Sequence, residues 1–190
     1  MDPFNWRADY SNSNWDLRHR FVGFFNYALP FFSSASNGFV RQALGGWQTN
    51  ATIALQSGFP FNVILSGDPA NTGRNNERPN LIGTPSADCG SGRLTGCINP
   101  AAFQTVSLAY GNAGRNLLYG PGLYNIDFSA FKTFSIRERV RLQFRSEFFN
   151  LFNTPAFSNP NATFGTTAFG SITSTKRDNR QIQFALKLLF

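Results

Sequence analysis

The sequence predicts an all-β chain: an antiparallel meander of about five long strands, a partial transmembrane β-barrel with long extracellular loops. Three observations predict it. Apolar and polar residues alternate with a period of two in successive segments, as in a strand with one apolar face. These segments run to about 11 residues, enough to cross a bilayer at a tilt, whereas strands of soluble sheets average about 5 to 6. The composition also departs from that of soluble domains, with 22 Phe in 190 residues and only 14% charged residues, against roughly 25% in typical soluble proteins.

The predicted strands cover about 18 to 29, 46 to 57, 123 to 136, 138 to 150 and 180 to 190. In the first, Phe21, Gly23, Phe25, Tyr27 and Leu29 share a face. In the second, Trp47, Ala51, Ile53 and Leu55 lie opposite Gln48, Asn50, Thr52 and Gln56, and residues 59 to 65 offer an extension. In the third, Tyr124, Ile126, Phe128, Ala130, Phe134 and Ile136 alternate with Asn125, Asp127, Ser129, Thr133 and Ser135, with Phe131 and Lys132 as exceptions. A tight hairpin turn at Arg137 and Glu138 leads into the fourth. There Val140, Leu142, Phe144 and Phe148 face one way, interrupted by Ser146, and Arg139, Arg141, Gln143, Arg145 and Glu147 face the other. Phe144, Phe148, Leu151 and Phe152 also satisfy helical spacing, so a short helix competes at that end. The last strand places Ile182, Phe184, Leu186, Leu188 and Phe190 on one face.

The connections are asymmetric. A modest link spans Pro30 to Gly45 and a tight turn joins strands three and four, whereas residues 66 to 122 and 151 to 179 form long Gly/Pro/Asn-rich loops. Barrels place short turns on the periplasmic side and long loops outside, so the final strand is expected to run toward the periplasm. Residues 1 to 17 are expected to form an N-terminal loop segment, and 18 to 190 the strands. No run of 18 apolar residues is present to make a transmembrane helix, and the start lacks the basic and apolar regions of a secretory signal.

The net charge of +7 comes from scattered Lys and Arg without a block of five, so no nucleic-acid partner is expected. Cys89 and Cys97 lie in a Gly/Ser/Pro-rich stretch and suit a disulfide in an oxidising compartment, with two free thiols as the alternative. With His19 the single histidine, zinc has no ligand set and no metal or cofactor is expected. No catalytic set emerges either, since one histidine and many serines do not define a triad.

The stretches DLRHRFVGFFNYALPF (16 to 31), GGWQTNATIALQSGFPFNV (45 to 63), RLQFRSEFFNLFNTPAF (141 to 157) and the terminal NRQIQFALKLLF resemble the C-terminal barrel strands of TonB-dependent receptors. The likeness is to the large Oar-like members that carry a carboxypeptidase-regulatory-like domain. It implies a cell outer membrane location in a Gram-negative envelope and nutrient uptake by the full-length protein. It also implies a 22-stranded barrel, a plug domain, energy from TonB through an N-terminal part, and recognition by the barrel-insertion machinery through Phe190. The chain departs from the pattern in showing no plug, TonB-contacting segment or regulatory-like domain. Five strands cannot close a barrel, which needs about eight, so a piece of a larger product, not active alone, is expected.

In that frame Arg139, Arg141, Arg145 and Glu147 are the lumen-facing candidates for a plug contact or a substrate path, with ordinary lumen polarity as the plainer reading. Tyr27, Trp47, Tyr124, Phe148 and Phe190 fall near strand ends, where rings favour the membrane interface, or pack as ordinary aromatics. Outer-membrane lipid, the remainder of the barrel and the plug are the expected partners. Loop residues Asp68, Arg74, Glu77, Arg78, Asp88, Arg93 and Arg115 would face outside. The rival reading is a secreted soluble β-sandwich that binds carbohydrate through exposed aromatics, its two apolar faces packed on each other.

Overall fold

The computed structural model describes residues 5–73, 75–90 and 92–190, so Arg74 lies outside the described residues. In chain order the strands are β1 (Arg20–Ala28), β2 (Gln48–Gln56), β3 (Pro60–Phe61), β4 (Ile64–Leu65), β5 (Asn80–Leu81), β6 (Phe103–Gln104), β7 (Leu118–Tyr119), β8 (Leu123–Arg137), β9 (Val140–Phe149), β10 (Thr163–Phe164) and β11 (Gln181–Leu189). Helix α1 spans Gly38–Leu44. The five long strands form one antiparallel sheet in the order β1-β2-β8-β9-β11, and they coincide with the five predicted segments to within two residues at every end. The sheet does not close on itself.

The chain divides into two compact units. One is the sheet with its short connections, Arg20–Leu55, Tyr124–Pro155 and Asp178–Phe190. The other gathers the N-terminal segment up to His19 with Gln56–Leu123 and Ala156–Arg177. Because neighbouring strands are antiparallel, Arg20, Gln56, Leu123, Phe149 and Gln181 lie at one end of the sheet.

Register in the sheet follows the alternation. Phe128, Lys132 and Phe134 of β8 sit opposite Phe148, Phe144 and Leu142 of β9. Phe148, Phe144 and Leu142 in turn face Ile182, Leu186 and Leu188 of β11. Backbone bonds from Leu29 N to Trp47 O and from Ser57 N to His19 O fix β1 against β2, setting Phe21, Gly23, Phe25 and Tyr27 across from Leu55, Ile53, Ala51 and Thr49. A one-residue slip would turn every one of these side chains to the other face, which is why a segregated pattern fixes pairing. The connection from β1 to β2 is partly helical. Asn37 caps α1 by accepting from the amides of Phe39 and Val40 at 2.9 and 3.3 Å.

Three expectations are corrected. The turn between β8 and β9 is formed by Glu138 and Arg139, one residue later than expected, because a bulge between Ser135 and Arg137 absorbs an extra residue. Residues 59 to 65 do not extend β2. The backbone of Gly58 instead passes so close to Gly120 that a Cβ would lie 1.7 Å from the Gly120 carbonyl oxygen, and β3 and β4 pair with β7 and β10. The helix competing near Leu151 does not form. Asn150 takes φ 51° and ends β9, a left-handed conformation that Asn tolerates. Its side-chain oxygen accepts from Thr154 N at 2.9 Å, its amide nitrogen donates to Thr154 O at 3.0 Å, and its backbone N–H donates to Asp127 Oδ1 at 2.8 Å.

The long connections are not featureless. They hold a core of Phe61, Val63, Cys97, Ile98, Ala102, Phe103 and Leu118, with Phe164 and Phe169 packed against it. Cys89 and Cys97 are joined in a disulfide with Cα atoms 5.0 Å apart, so the free-thiol alternative is set aside.

Candidate functional site

The two faces of the sheet differ in kind. On one face β9 and β11 show Leu142, Phe144, Phe148, Ile182, Phe184, Leu186 and Leu188, and Phe184 and Leu186 are 65% and 69% exposed. A β-sandwich would bury these side chains against a second sheet, so their exposure removes the packing that the rival reading requires. The rings of Phe144 and Phe184 stack at 6.2 Å, and Phe128 and Phe148 pair at 6.3 Å. Strands of nine or ten residues, β1, β2, β9 and β11, span about 30 Å, or about 22 Å when tilted 45°, which matches an apolar band of about 25 Å.

The predicted interface aromatics all have the parity of this face. Tyr27, Trp47 and Phe190 lie at one end of the sheet, Tyr124 and Phe148 at the other. Tyr27, Tyr124 and Phe190 are exposed. Trp47 donates its indole N–H to Ala43 O at 3.3 Å and meets the ring of Phe144 edge-on at 6.1 Å.

Both exceptions to the alternation in β8 have a local explanation. Lys132 is buried on the apolar face, where its ammonium donates to the carbonyl of Gly45 and lies 5.0 Å from the Phe134 ring centre. The link between β1 and β2 thus supplies the acceptor that a cation on an apolar face requires. Phe131, on the polar face, pairs across strands with Arg145, whose guanidinium lies 5.8 Å from its ring centre. Ser146, which interrupts the apolar row, donates to Ala130 O at 3.1 Å.

On the polar face Arg141, Gln143, Arg145 and Glu147 of β9 stand opposite Ser135, Thr133, Phe131 and Ser129 of β8. Arg145 and Glu147 form an ion pair at 3.1 Å. Arg139 is not on this face, since it occupies the hairpin turn. A cleft of about 270 Å³ opens here, lined by Asn50 and Thr52 of β2, Asp127 and Ser129 of β8, and Arg145, Glu147 and Phe149 of β9. Asn50, Asp127 and Ser129 could be assigned to a polar face from the alternation, and the β8–β9 hairpin brings Asp127 and Ser129 towards Arg145, but joining Asn50 to them required the pairing of β2 with β8, across a long connection.

A scan of protein families matches residues 1–183 to the outer membrane beta barrel domain. The chain belongs to that family. The barrel's location is therefore the outer membrane, and the exposed apolar face is the one that a barrel turns to lipid. No curated protein and no solved structure matches the chain significantly.

Of the charged loop residues, several serve the fold of their own unit. Arg78 is buried in an ion pair with Asp9 at 2.7 Å and donates to Ala8 O at 3.0 Å. Glu77 is buried and accepts from Thr72 Oγ1 at 2.5 Å and Ala70 N at 3.2 Å. Asp68 accepts from Thr72 N at 2.9 Å and Gly73 N at 2.6 Å, bonds that hold its carboxyl below the usual range against the opposing effect of partial burial.

Proposed function

We propose that the sheet is a stretch of the wall of a TonB-dependent receptor of the Oar-like type, a passage for nutrient uptake and not a site of reaction. The observation that supports this reading is the division of one sheet into an apolar face and a polar face that carries Arg141, Arg145 and Glu147. The four sequence stretches that resemble receptor barrel strands point the same way. Closure takes about eight strands or more, so further strands complete the wall, and a plug meets the polar face from inside. The short hairpin at Glu138 and Arg139 and the end of β11 lie toward the periplasm, with Phe190 available to the insertion machinery.

The test is a blot of cell fractions against residues 176 to 190, boiled and unboiled, together with uptake measured with and without an inner-membrane proton gradient. A heat-modifiable outer-membrane band well above 21.1 kDa and uptake lost on collapse of the gradient support the receptor. Passage that continues without the gradient sinks the TonB-dependent reading and leaves a passive barrel.

A further inference from the structure

Ser33, Arg41 and Gln42 of the link between β1 and β2 and Lys132 and Phe134 of β8 line a cavity of about 380 Å³, within the size range of pockets that hold small ligands. Lys132 and Phe134 have the parity of the apolar face, and the bond from the Lys132 ammonium to Gly45 O draws the link onto that side of β8. Trp47, where the link ends, meets Phe144 of the same face. The wall is tight at Gly45, whose N–H donates to Arg41 O at 3.0 Å and where a Cβ would lie 2.7 Å from the carbonyl oxygens of Arg41 and Phe32.

Two cations line this cavity and, among the described residues, no carboxylate does. The sequence holds no Asp or Glu from residue 17 to residue 67, and among the described residues neither Arg41 nor Lys132 takes part in an ion pair. Gly45 O occupies part of the donor capacity of the Lys132 ammonium but brings no countercharge. Arg41 is exposed, and among the described residues its guanidinium donates from Nη1 alone, to Ala35 O at 3.5 Å. Basic pockets on a lipid-facing surface suit anionic headgroups. The same link exposes Phe31, Phe32, Phe39 and Leu44, with Phe39 81% exposed. A soluble anion would satisfy the cations and leave these rings uncovered, whereas a phospholipid supplies a phosphate for the cations and acyl chains for the rings.

We propose that this cavity seats the phosphate of an anionic phospholipid of the periplasmic leaflet, with Arg41 as its direct partner and Lys132 adding a second positive charge. The choice of leaflet rests on the orientation given above, short turns toward the periplasm, and the site does not depend on the uptake reading.

The protein extracted from outer membranes in detergent is stripped of lipid and titrated with dioleoylphosphatidylglycerol, bound lipid being counted by native mass spectrometry. Dioleoylphosphatidylethanolamine, lipopolysaccharide and inorganic phosphate are titrated in parallel. Arg41→Gln removes the charge of an exposed residue, Arg41→Lys keeps it, and Arg137→Gln removes another cation of β8, outside the cavity. Heat-modifiable gel migration confirms that each variant is folded. Phosphatidylglycerol bound more tightly than phosphatidylethanolamine, and weakened about fivefold by Arg41→Gln, about what one Arg contributes at an anionic lipid surface, supports the site when Arg41→Lys and Arg137→Gln stay close to wild type. Equal affinity for the two phospholipids overturns it, as does an equal loss in Arg137→Gln, the mark of diffuse surface charge. Displacement of phosphatidylglycerol by inorganic phosphate at comparable concentration also overturns it and leaves a site for free anions. Lipopolysaccharide bound in preference, with a loss in Arg41→Gln, overturns the proposal together with the orientation. None of these outcomes bears on uptake, which the proton-gradient experiment decides by itself.

Discussion

The unit built from the long connections and the sheet unit bury their apolar residues by opposite means. Val63 and Ile98 in the connections are 1% exposed, and among the described residues Ala51 is the single buried apolar residue from the sheet. The connections make a small aqueous core closed by a disulfide, while the sheet leaves its Phe and Leu rows for lipid to cover. The same apolar residue types serve both, and only their surroundings tell the two solvents apart.

Breaking the aqueous core gives the largest effect. Ile98→Ala removes a side chain at its centre and is expected to cost about 2–5 kcal/mol. Limited proteolysis should then cut within 56–123 while 181–189 stays protected in lipid. In the sheet, Phe184→Arg places a charge on the lipid face near the middle of β11 and is expected to cost about 2–4 kcal/mol, read from urea unfolding in bilayers. Gln183→Arg, one residue away on the polar face, should stay within about 0.5 kcal/mol. Equal costs at 183 and 184 would erase the distinction between faces. Opening the disulfide by Cys89→Ser and Cys97→Ser together should cost about 2–3 kcal/mol for so short a loop, seen as faster amide exchange around 87–98 with β11 unchanged.

The smallest effect sharpens the boundary of the loop unit. The carboxyl of Asp68 is held below the free value of 3.8 chiefly by the backbone N–H of Thr72. The stability it contributes is therefore fully present above that value and lost as pH falls through the lower value of the folded state. Amide exchange at Thr72 and Gly73 should rise on acidification below about pH 4, and Asp68→Asn should flatten that response.

The sheet was legible in the sequence because each strand carries its own alternation, and Val140 to Phe148 segregates charge from apolar surface within one segment. The connections were not. Phe61, Val63, Ile98 and Phe103 show no period, and they meet only after folding brings 61–65 next to 97–103 and 117–118. Arg139 was misplaced by one bulge, a shift that no local alternation reveals. Arg145 was identified as a polar-face residue from its own strand and Asp127 from the strand that the hairpin joins to it, whereas Asn50 depended on the pairing of strands separated by 66 residues of connection, 57 to 122.

The most direct test of the two-faced wall is a nitroxide scan of β11 in lipid, with single substitutions from Gln181→Cys to Leu188→Cys and relaxation by oxygen and by a water-soluble nickel chelate. The account predicts a period of two, with oxygen reaching 182, 184, 186 and 188 and the chelate reaching 181, 183, 185 and 187. Chelate access at every position, or no alternation at all, would contradict a strand that separates lipid from a polar interior.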